Sequence, residues 1–261
     1  MKFGVCGNLS RLPAIIEAGY DYVEMNFSTL ALMPEEEFIK TRDELARQNF
    51  HAEAFNGFFK SDVVLYGEKA DLNAIAAYCE TGFSRAAQLG GQVAVLGSGG
   101  ARAIPEGMTK EEAEEQFCRV LTVCGDVAQK YGMRIAIEPL RAFETNFIHT
   151  VADAAEIIGL SPDSVALGIT PDIYHMLEGG EAFDELRRFS DKLFHAHICA
   201  PDRHYPSPER PAEDNILYRD FFRALNAAKY QGTISIEGIA TDMVTDLPSA
   251  LAILYAAQDQ I

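Results

Sequence analysis

Four residues of this sequence have the chemistry and the positions expected of ligands for a divalent cation. Each lies at or just past the carboxyl end of a short apolar segment, and they are Glu138, Asp172, His197 and Glu237. In a barrel of parallel strands the carboxyl ends converge on one face, where active sites are built. Three carboxylates and one imidazole at one point predict a site for one divalent metal ion, with Mn²⁺, Mg²⁺ or Co²⁺ favoured and Zn²⁺ as an alternative.

Simpler interpretations are open for each acid. Glu138 could form a salt bridge with Arg141, three residues later. Asp172 lies at a strand-to-helix junction, where aspartate is often only an N-cap. Glu24 also comes near the end of an apolar segment, so this position is not unique to the predicted ligands. We interpret Glu24 as a structural residue or one that supports a ligand.

Two histidines alternate along the segment LFHAH at 193–197, so His195 and His197 point to the same side of a strand. His197 is nearer the carboxyl end and is therefore the predicted ligand. His195 is interpreted as a core residue or a support for the site. His175 follows Asp172 by three residues and would face the same pocket if that segment is helical.

Strand-like and helix-like segments alternate along the whole sequence. The predicted strands are residues 2–6, 21–25, 51–55, 92–97, 134–138, 165–169, 193–198 and 233–237. The predicted helices are residues 11–19, 34–49, 71–89, 109–132, 150–159, 181–189, 215–230 and 246–258. Eight such units favour a closed (β/α)₈ TIM barrel of the α/β class over an open sheet, and the predicted domain is the single range 1–261.

Composition excludes several classes of function. A net charge of −17 repels phosphate backbones, so no nucleic acid is expected as a partner. No apolar stretch approaches the roughly 18–20 residues of a membrane span, and no signal peptide is recognisable, so no membrane partner is expected. Five cysteines without a C-x-x-C pair are typical of a reduced, cytoplasmic protein. Glycine-rich nucleotide motifs and a G-x-S-x-G nucleophile motif are absent.

Three long loops, at 56–70, 98–108 and 199–214, follow predicted strands and are expected to close over a substrate. The first contains Phe58, Phe59 and Tyr66. These apolar side chains are predicted to exclude water from the reaction.

Several short motifs carry a resemblance to a known family. They are Glu138 followed six residues later by Glu144, the segment DIYHM at 172–176, the segment HAH at 195–197 followed by Arg203, and Ile236-Glu237. In this order they resemble the xylose-isomerase-like barrel superfamily. Within it they resemble the sugar phosphate isomerase/epimerase group, which includes D-tagatose 3-epimerases, hydroxypyruvate isomerases and inosose dehydratases.

The resemblance implies roles for these residues. The metal ligands would be Glu138, Asp172, His197 and Glu237; the substrate-binding residues would be Glu144, His175 and Arg203. Glu138 and Glu237 would act as catalytic base and acid. The implied enzyme is an isomerase or epimerase of a small ketose, sugar phosphate or related hydroxy-carbonyl compound, acting by proton transfer through a metal-bound enediolate.

Alternatives to this function stay open at the level of sequence. An inosose-dehydratase-like lyase would use the same proton abstraction and then expel a hydroxyl group. An AP endonuclease shares the barrel, but it needs more metal ligands and a basic face for DNA, which a net charge of −17 disfavours. The expected partner is a small carbohydrate substrate, and a homo-oligomer is left open.

Overall fold

Short parallel strands alternate with helices in the structure, a computed structural model that describes residues 1–161 and 166–260. The strands are β1 (Lys2–Cys6), β2 (Tyr22–Asn26), β3 (Ala54–Asn56), β4 (Val93–Leu96), β5 (Arg134–Ile137), β6 (Leu167–Ile169), β7 (His195–Ile198) and β8 (Thr233–Ile236). The α-helices are α1 (Leu12–Ala18), α2 (Phe27–Leu32), α3 (Glu35–Arg47), α4 (Leu72–Gln88), α5 (Gly99–Arg102), α6 (Lys110–Lys130), α7 (Val151–Leu160), α8 (Ile173–Glu178), α9 (Ala212–Ala227) and α10 (Met243–Gln258).

All eight strands belong to one sheet in the order β6-β5-β4-β3-β2-β1-β8-β7, with every pairing parallel. The two end strands approach each other through isolated bridges that join Ile169 to Leu193 and Asp172 to His197. The sheet is therefore nearly closed, and the predicted (β/α)₈ barrel is confirmed. Within the described ranges, no helix combines the length and the apolar character that a membrane span requires.

Some predicted element boundaries differ from the structure. β3 begins at Ala54 instead of residue 51, because the backbone of His51 and Ala52 makes single hydrogen bonds to Val23 and Leu89 and no regular ladder. The helix predicted at 181–189 is a 3₁₀ helix at Phe183–Phe189. The predicted start of the sixth strand, residue 165, lies outside the described residues. Short helices α2, α5 and α8 were not predicted as separate elements.

The inside of the barrel is filled by a small apolar cluster of Tyr22, Ala54, Val93 and Ala136, separate from the main core. Gly4 makes room for the Tyr22 ring, because a Cβ at residue 4 would lie 2.3 Å from Tyr22 Cε2. This packing fills the interior and leaves the carboxyl ends of the strands as the place for a polar site.

Candidate metal centre and active site

The four predicted ligands meet at the carboxyl ends of neighbouring strands. Glu138 follows β5, Asp172 follows β6, His197 lies in β7 and Glu237 follows β8. One ligand atom from each side chain lies within 4.8 Å of the others. We call this set the carboxylate–histidine cluster. Three of its members are buried and Glu237 is partly exposed, so the cluster is open to solvent mainly at Glu237.

Asp172 has one oxygen in the helix cap and one facing the cluster. Its Oδ1 accepts hydrogen bonds from the backbone N–H groups of Tyr174 (2.7 Å) and His175 (3.4 Å), which begins α8. Its Oδ2 is buried and has no hydrogen-bond partner among the described residues. That oxygen lies 3.9 Å from His197 Nδ1 and 3.7 Å from an Arg203 nitrogen. The N-cap interpretation is thus correct for one oxygen and leaves the other free to bind a cation.

His197 is completely buried and both of its ring nitrogens have carboxylate neighbours. Nδ1 lies 2.7 Å from Glu138 Oε1, and Nε2 lies 3.0 Å from Glu24 Oε1. Burial alone would lower the pKa of His197, but the surrounding carboxylates outweigh this effect and raise that pKa well above its ordinary value. In the metal-free protein the ring therefore holds a proton that a metal ion would displace.

Glu138 is held in a tight, buried setting. A Cβ at residue 97 would lie 2.5 Å from Glu138 Oε2, so Gly97 leaves the space that this carboxylate occupies. Burial and the nearby carboxylate of Glu237 raise the pKa of Glu138 to about 7, against the opposing effect of His197. Glu138 can therefore accept and release a proton near neutral pH.

Glu237 is fixed by two hydrogen bonds. Its Oε2 accepts from Arg203 Nη2 at 2.6 Å, and its Oε1 accepts from Asn56 Nδ2 at 3.1 Å. Asn56 ends β3 and also lies 3.3 Å from Cys6 Sγ. Asn56 appeared in the sequence only as a loop residue. The hydrogen bond from its amide to Glu237 depends on how β3 and β8 are placed relative to each other, which only the structure gives.

Arg203 and His175 lie next to the cluster, as the sequence predicted. Arg203 Nη1 is 3.1 Å from His175 Nε2, and its guanidinium stacks on the Tyr174 ring at 4.8 Å. Burial and the charge of Arg203 lower the pKa of His175 to about 4, so this imidazole is neutral at pH 7. Arg203 has a φ of 69°, a left-handed backbone conformation that is uncommon outside glycine.

Glu144 lies farther out, at the rim of the site. Its Oε1 accepts from Arg141 Nε at 2.9 Å, and Arg141 also donates to Glu178 at 3.2 Å. Arg141 therefore pairs with these two exposed acids, and the alternative salt bridge between Arg141 and Glu138 is not formed. Glu144 is not a member of the cluster, and its predicted contact with substrate stays a prediction.

Arg102 supports the loop that follows β4. It is fully buried and donates to the backbone carbonyls of Leu96, Glu138 and Ile148 at 2.8–3.2 Å. Burial lowers the pKa of Arg102 to about 10, which leaves the guanidinium charged at neutral pH. It ties the ends of β4 and β5 together and so fixes the backbone at Glu138.

The loop at 56–70 is anchored by its aromatic side chains. Phe58 is buried and stacks on Phe27 at 4.5 Å, and Phe59 packs edge-on against Phe58. The Tyr66 hydroxyl donates to the Arg102 carbonyl at 2.6 Å. These residues hold the loop against the barrel, and their predicted exclusion of water from a bound substrate is untested.

The donor set suits a hard or borderline divalent cation. One carboxylate oxygen from each of Glu138, Asp172 and Glu237 and one imidazole nitrogen converge within 4.8 Å, and Asp172 Oδ2 has no hydrogen-bond partner among the described residues. Such oxygen-rich ligation with one nitrogen is typical of sites for Mn²⁺, Mg²⁺ or Co²⁺ and is compatible with Zn²⁺. The cluster could therefore hold a metal ion, although its geometry does not select one.

Residues 12–256 match the model of one protein family, described as the xylose isomerase-like TIM barrel. The chain belongs to this family. The name of the family describes the barrel fold reported above, and the matched residues include every strand except β1.

Two proteins similar to this chain have names that describe sugar epimerases. A Synechocystis protein described as a probable ketose 3-epimerase is 32% identical over 109 residues, which are 41% of this chain and 36% of that protein. The chain thus spans about a third of the length of this curated relative. The crystal structure of 3-keto-D-glucoside 4-epimerase from Escherichia coli superposes with a TM-score of 0.81 at 23% identity, covering 98% of this chain and 99% of that one.

A third similarity, like the second, is one of fold alone. The crystal structure of the IolI protein with a bound zinc atom superposes with a TM-score of 0.73 at 20% identity, over 100% of this chain and 97% of that one.

Proposed function

We propose that this protein is a metal-dependent epimerase or isomerase of a ketose, sugar phosphate or related hydroxy-carbonyl compound. The observation that carries the proposal is the convergence of two glutamates, one histidine and the unpartnered oxygen of Asp172 in one cluster. The names of two similar proteins support it, because each describes epimerisation at a carbon next to a carbonyl group. The IolI structure, which has the same fold, contains a zinc atom, and this supports a metal in a barrel of this kind.

A divalent cation in the carboxylate–histidine cluster would polarise the substrate carbonyl and stabilise negative charge on its oxygen. Glu138 and Glu237 are the proposed proton carriers. One removes the proton beside the carbonyl, and the other returns a proton to the opposite face or to the neighbouring carbon. In the metal-free protein the pKa of Glu138 is raised to about 7, which shows that this site can hold a proton on the carboxyl near neutral pH.

Arg203 and His175 are the proposed contacts to substrate oxygens. The Arg203 guanidinium is partly exposed, with 26% of its side chain accessible, and it already orders Glu237. Nε2 of the neutral His175 ring faces the Arg203 donor at 3.1 Å, so the ring and the guanidinium are proposed to contact the substrate together. Glu144 at the rim is the proposed contact for a more distant part of the substrate.

The proposal is tested by ¹H NMR in D₂O with Mn²⁺, Mg²⁺, Co²⁺ or Zn²⁺ supplied. The panel contains ketopentoses, ketohexoses, their phosphates, hydroxypyruvate, inosose and a 3-keto-glucoside. Loss of the proton signal beside the carbonyl, with formation of an epimer or isomer, is the expected result. If no compound exchanges its proton with any of the four metals, the proposal is wrong.

The same experiment identifies the main alternative. Net loss of water from inosose would show a lyase of the dehydratase kind, since that reaction begins with the same proton abstraction. Cleavage of DNA at abasic sites at physiological salt would point to an endonuclease, which the charge of −17 argues against.

Replacement of Arg203 by alanine is expected to raise KM about 10-fold or more while metal affinity falls less, because the side chain is proposed to bind substrate oxygens. Steady-state kinetics and Mn²⁺ titration measure the two effects. Arg210→Ala is a matched control, because Arg210 pairs with Asp202 and Asp214 outside the cluster. A collapse of metal binding with unchanged KM would make Arg203 a support for Glu237.

Metal affinity is expected to rise with pH through neutrality. The pKa values of Glu138 and His197 are both raised in the metal-free protein, so protons compete with the metal at low pH and are released as it binds. The gain is roughly 10-fold per pH unit for each proton released, from about pH 6 to about pH 8. Calorimetric titration with Mn²⁺ in two buffers of different ionisation enthalpy counts these protons. An affinity that does not change over this range would contradict the assignment.

A further inference from the structure

Below the carboxylate–histidine cluster, a buried chain of hydrogen bonds crosses three strands. Glu24 in β2 is buried and bonds to two histidines of β7. Its Oε1 lies 3.0 Å from His197 Nε2, and its Oε2 lies 2.9 Å from His195 Nε2. His195 Nδ1 lies 2.8 Å from the hydroxyl of Thr233 in β8. Neither histidine side chain has measurable exposure, so water does not replace these contacts.

The ionised Glu24 determines where the two histidine rings carry their hydrogens. An ionised carboxylate only accepts hydrogen bonds, so both histidines must donate to Glu24 from Nε2. A neutral imidazole carries a single N–H, so Nδ1 of each ring is then an acceptor. For His195 this acceptor is matched by the Thr233 hydroxyl, which can donate. For His197, Nδ1 is an acceptor once a metal ion has displaced the proton that lies between Nδ1 and Glu138 Oε1 in the metal-free protein.

Nδ1 of His197 faces the cluster. Nδ1 lies 2.7 Å from Glu138 Oε1, 3.6 Å from Glu237 Oε2 and 3.9 Å from Asp172 Oδ2. Nε2 faces Glu24. It could reach the cluster only if the ring flipped, which would break the contacts of Nε2 with Glu24 and of Nδ1 with Glu138. The contact with Glu24 therefore sets the orientation of the His197 ring.

We propose that Glu24 is a positioning residue that makes Nδ1 the metal-binding nitrogen of His197, and that His195 and Thr233 hold Glu24 in place. This inference rests on the proposed metal site. It goes beyond the proposed function because it assigns an essential support to β2, a strand that contributes none of the proposed ligands. A carboxylate that accepts from the far nitrogen of a ligating histidine fixes the ring and makes its other nitrogen a better ligand.

The first test is direct and uses the unmodified protein. Zinc-loaded, ¹⁵N-labelled protein is studied by long-range ¹H–¹⁵N correlation, which distinguishes a metal-bound ring nitrogen from a protonated one. The expected result for His197 is zinc on Nδ1 and a proton on Nε2. Zinc on Nε2 would overturn the proposal.

The second test measures affinity with the metal alone. Glu24→Gln is expected to weaken Co²⁺ binding about 10–100-fold and to change the visible absorption of the bound Co²⁺, since the ligand ring loses its charged partner. Glu53→Gln is the matched control. Glu53 is also a buried glutamate near a strand, but it pairs with Lys2 and Gln92 and lies in none of the potential metal-binding groups. Its affinity and spectrum are expected to equal those of the wild type.

Equal loss of affinity in both variants, or an unchanged affinity and spectrum in Glu24→Gln, would overturn the positioning role. If Glu24→Gln does not fold, the nitrogen assignment in the wild-type protein still decides the question. Substrate is absent from both tests, so a failure to epimerise sugars does not affect them. A wild-type protein that binds neither Co²⁺ nor Zn²⁺ would overturn this inference together with the metal dependence of the proposed function.

Discussion

Glu138→Gln and Glu237→Gln are each expected to lower kcat by about 10²–10⁴-fold while the fold is kept. Glutamine is close in shape to glutamate, so the packing of residue 138 at Gly97 stays possible. At residue 237 the single amide oxygen can accept from only one of the two donors, Asn56 or Arg203. What is lost is the ability to carry a proton. Turnover of the substrate found by NMR measures the effect, and circular dichroism checks the fold.

Each glutamate is also a proposed ligand, so the experiment must separate the two roles. Metal is therefore supplied at a saturating concentration and its occupancy is measured before exchange of the substrate proton is followed. A variant with full occupancy and near wild-type exchange would show that the glutamate is only a ligand. Exchange without product would identify that residue as the acid that returns the proton.

The second large effect is expected at Asp172. Asp172→Ala removes the Oδ2 atom that has no protein partner and should weaken Mn²⁺ binding by more than the roughly 100-fold that loss of a supporting residue causes. It also removes the N-cap of α8, which should lower stability by about 1 kcal/mol even without metal. Mn²⁺ titration and thermal unfolding in a chelator measure the two losses.

Asp172→Asn separates the metal role from the cap. Asparagine caps helices as well as aspartate does, so the metal-free stability should stay at or above that of the wild type. The amide is a weaker ligand than a carboxylate, so most of the affinity for Mn²⁺ should still be lost. Wild-type affinity in Asp172→Asn would remove Asp172 from the proposed ligand set.

The barrel was predictable because each strand has a short apolar segment and most helices have a clear repeat. The convergence of the four clustered residues followed from one rule, that parallel strands end on the same face of a barrel. The alternation of His195 and His197 likewise predicted that both point to the same side of the strand. Such features depend on spacing within one strand and on strand order, which the sequence carries.

The contacts between distant strands were not predictable in the same way. Asn56 reaches Glu237 only because β3 and β8 end at similar heights in the barrel. Arg102 lies in the loop at 98–108, which was expected to close over a substrate. In the structure its side chain is buried and donates hydrogen bonds to three backbone carbonyls. Such side chains are placed by the register of strands that are far apart in sequence, and a single sequence contains no measure of that register.

The proposed ligands all come from β5 to β8, while β1 to β4 surround them with Cys6, Glu24, Asn56 and the anchored loop at 56–70. The chain is thus divided into a half that supplies the proposed reacting groups and a half that supports and borders them. Changes in the loops of the first half can alter which molecules fit without disturbing the proton carriers. Such a division lets one ancestral barrel diversify its substrates while a single chemical step is inherited unchanged.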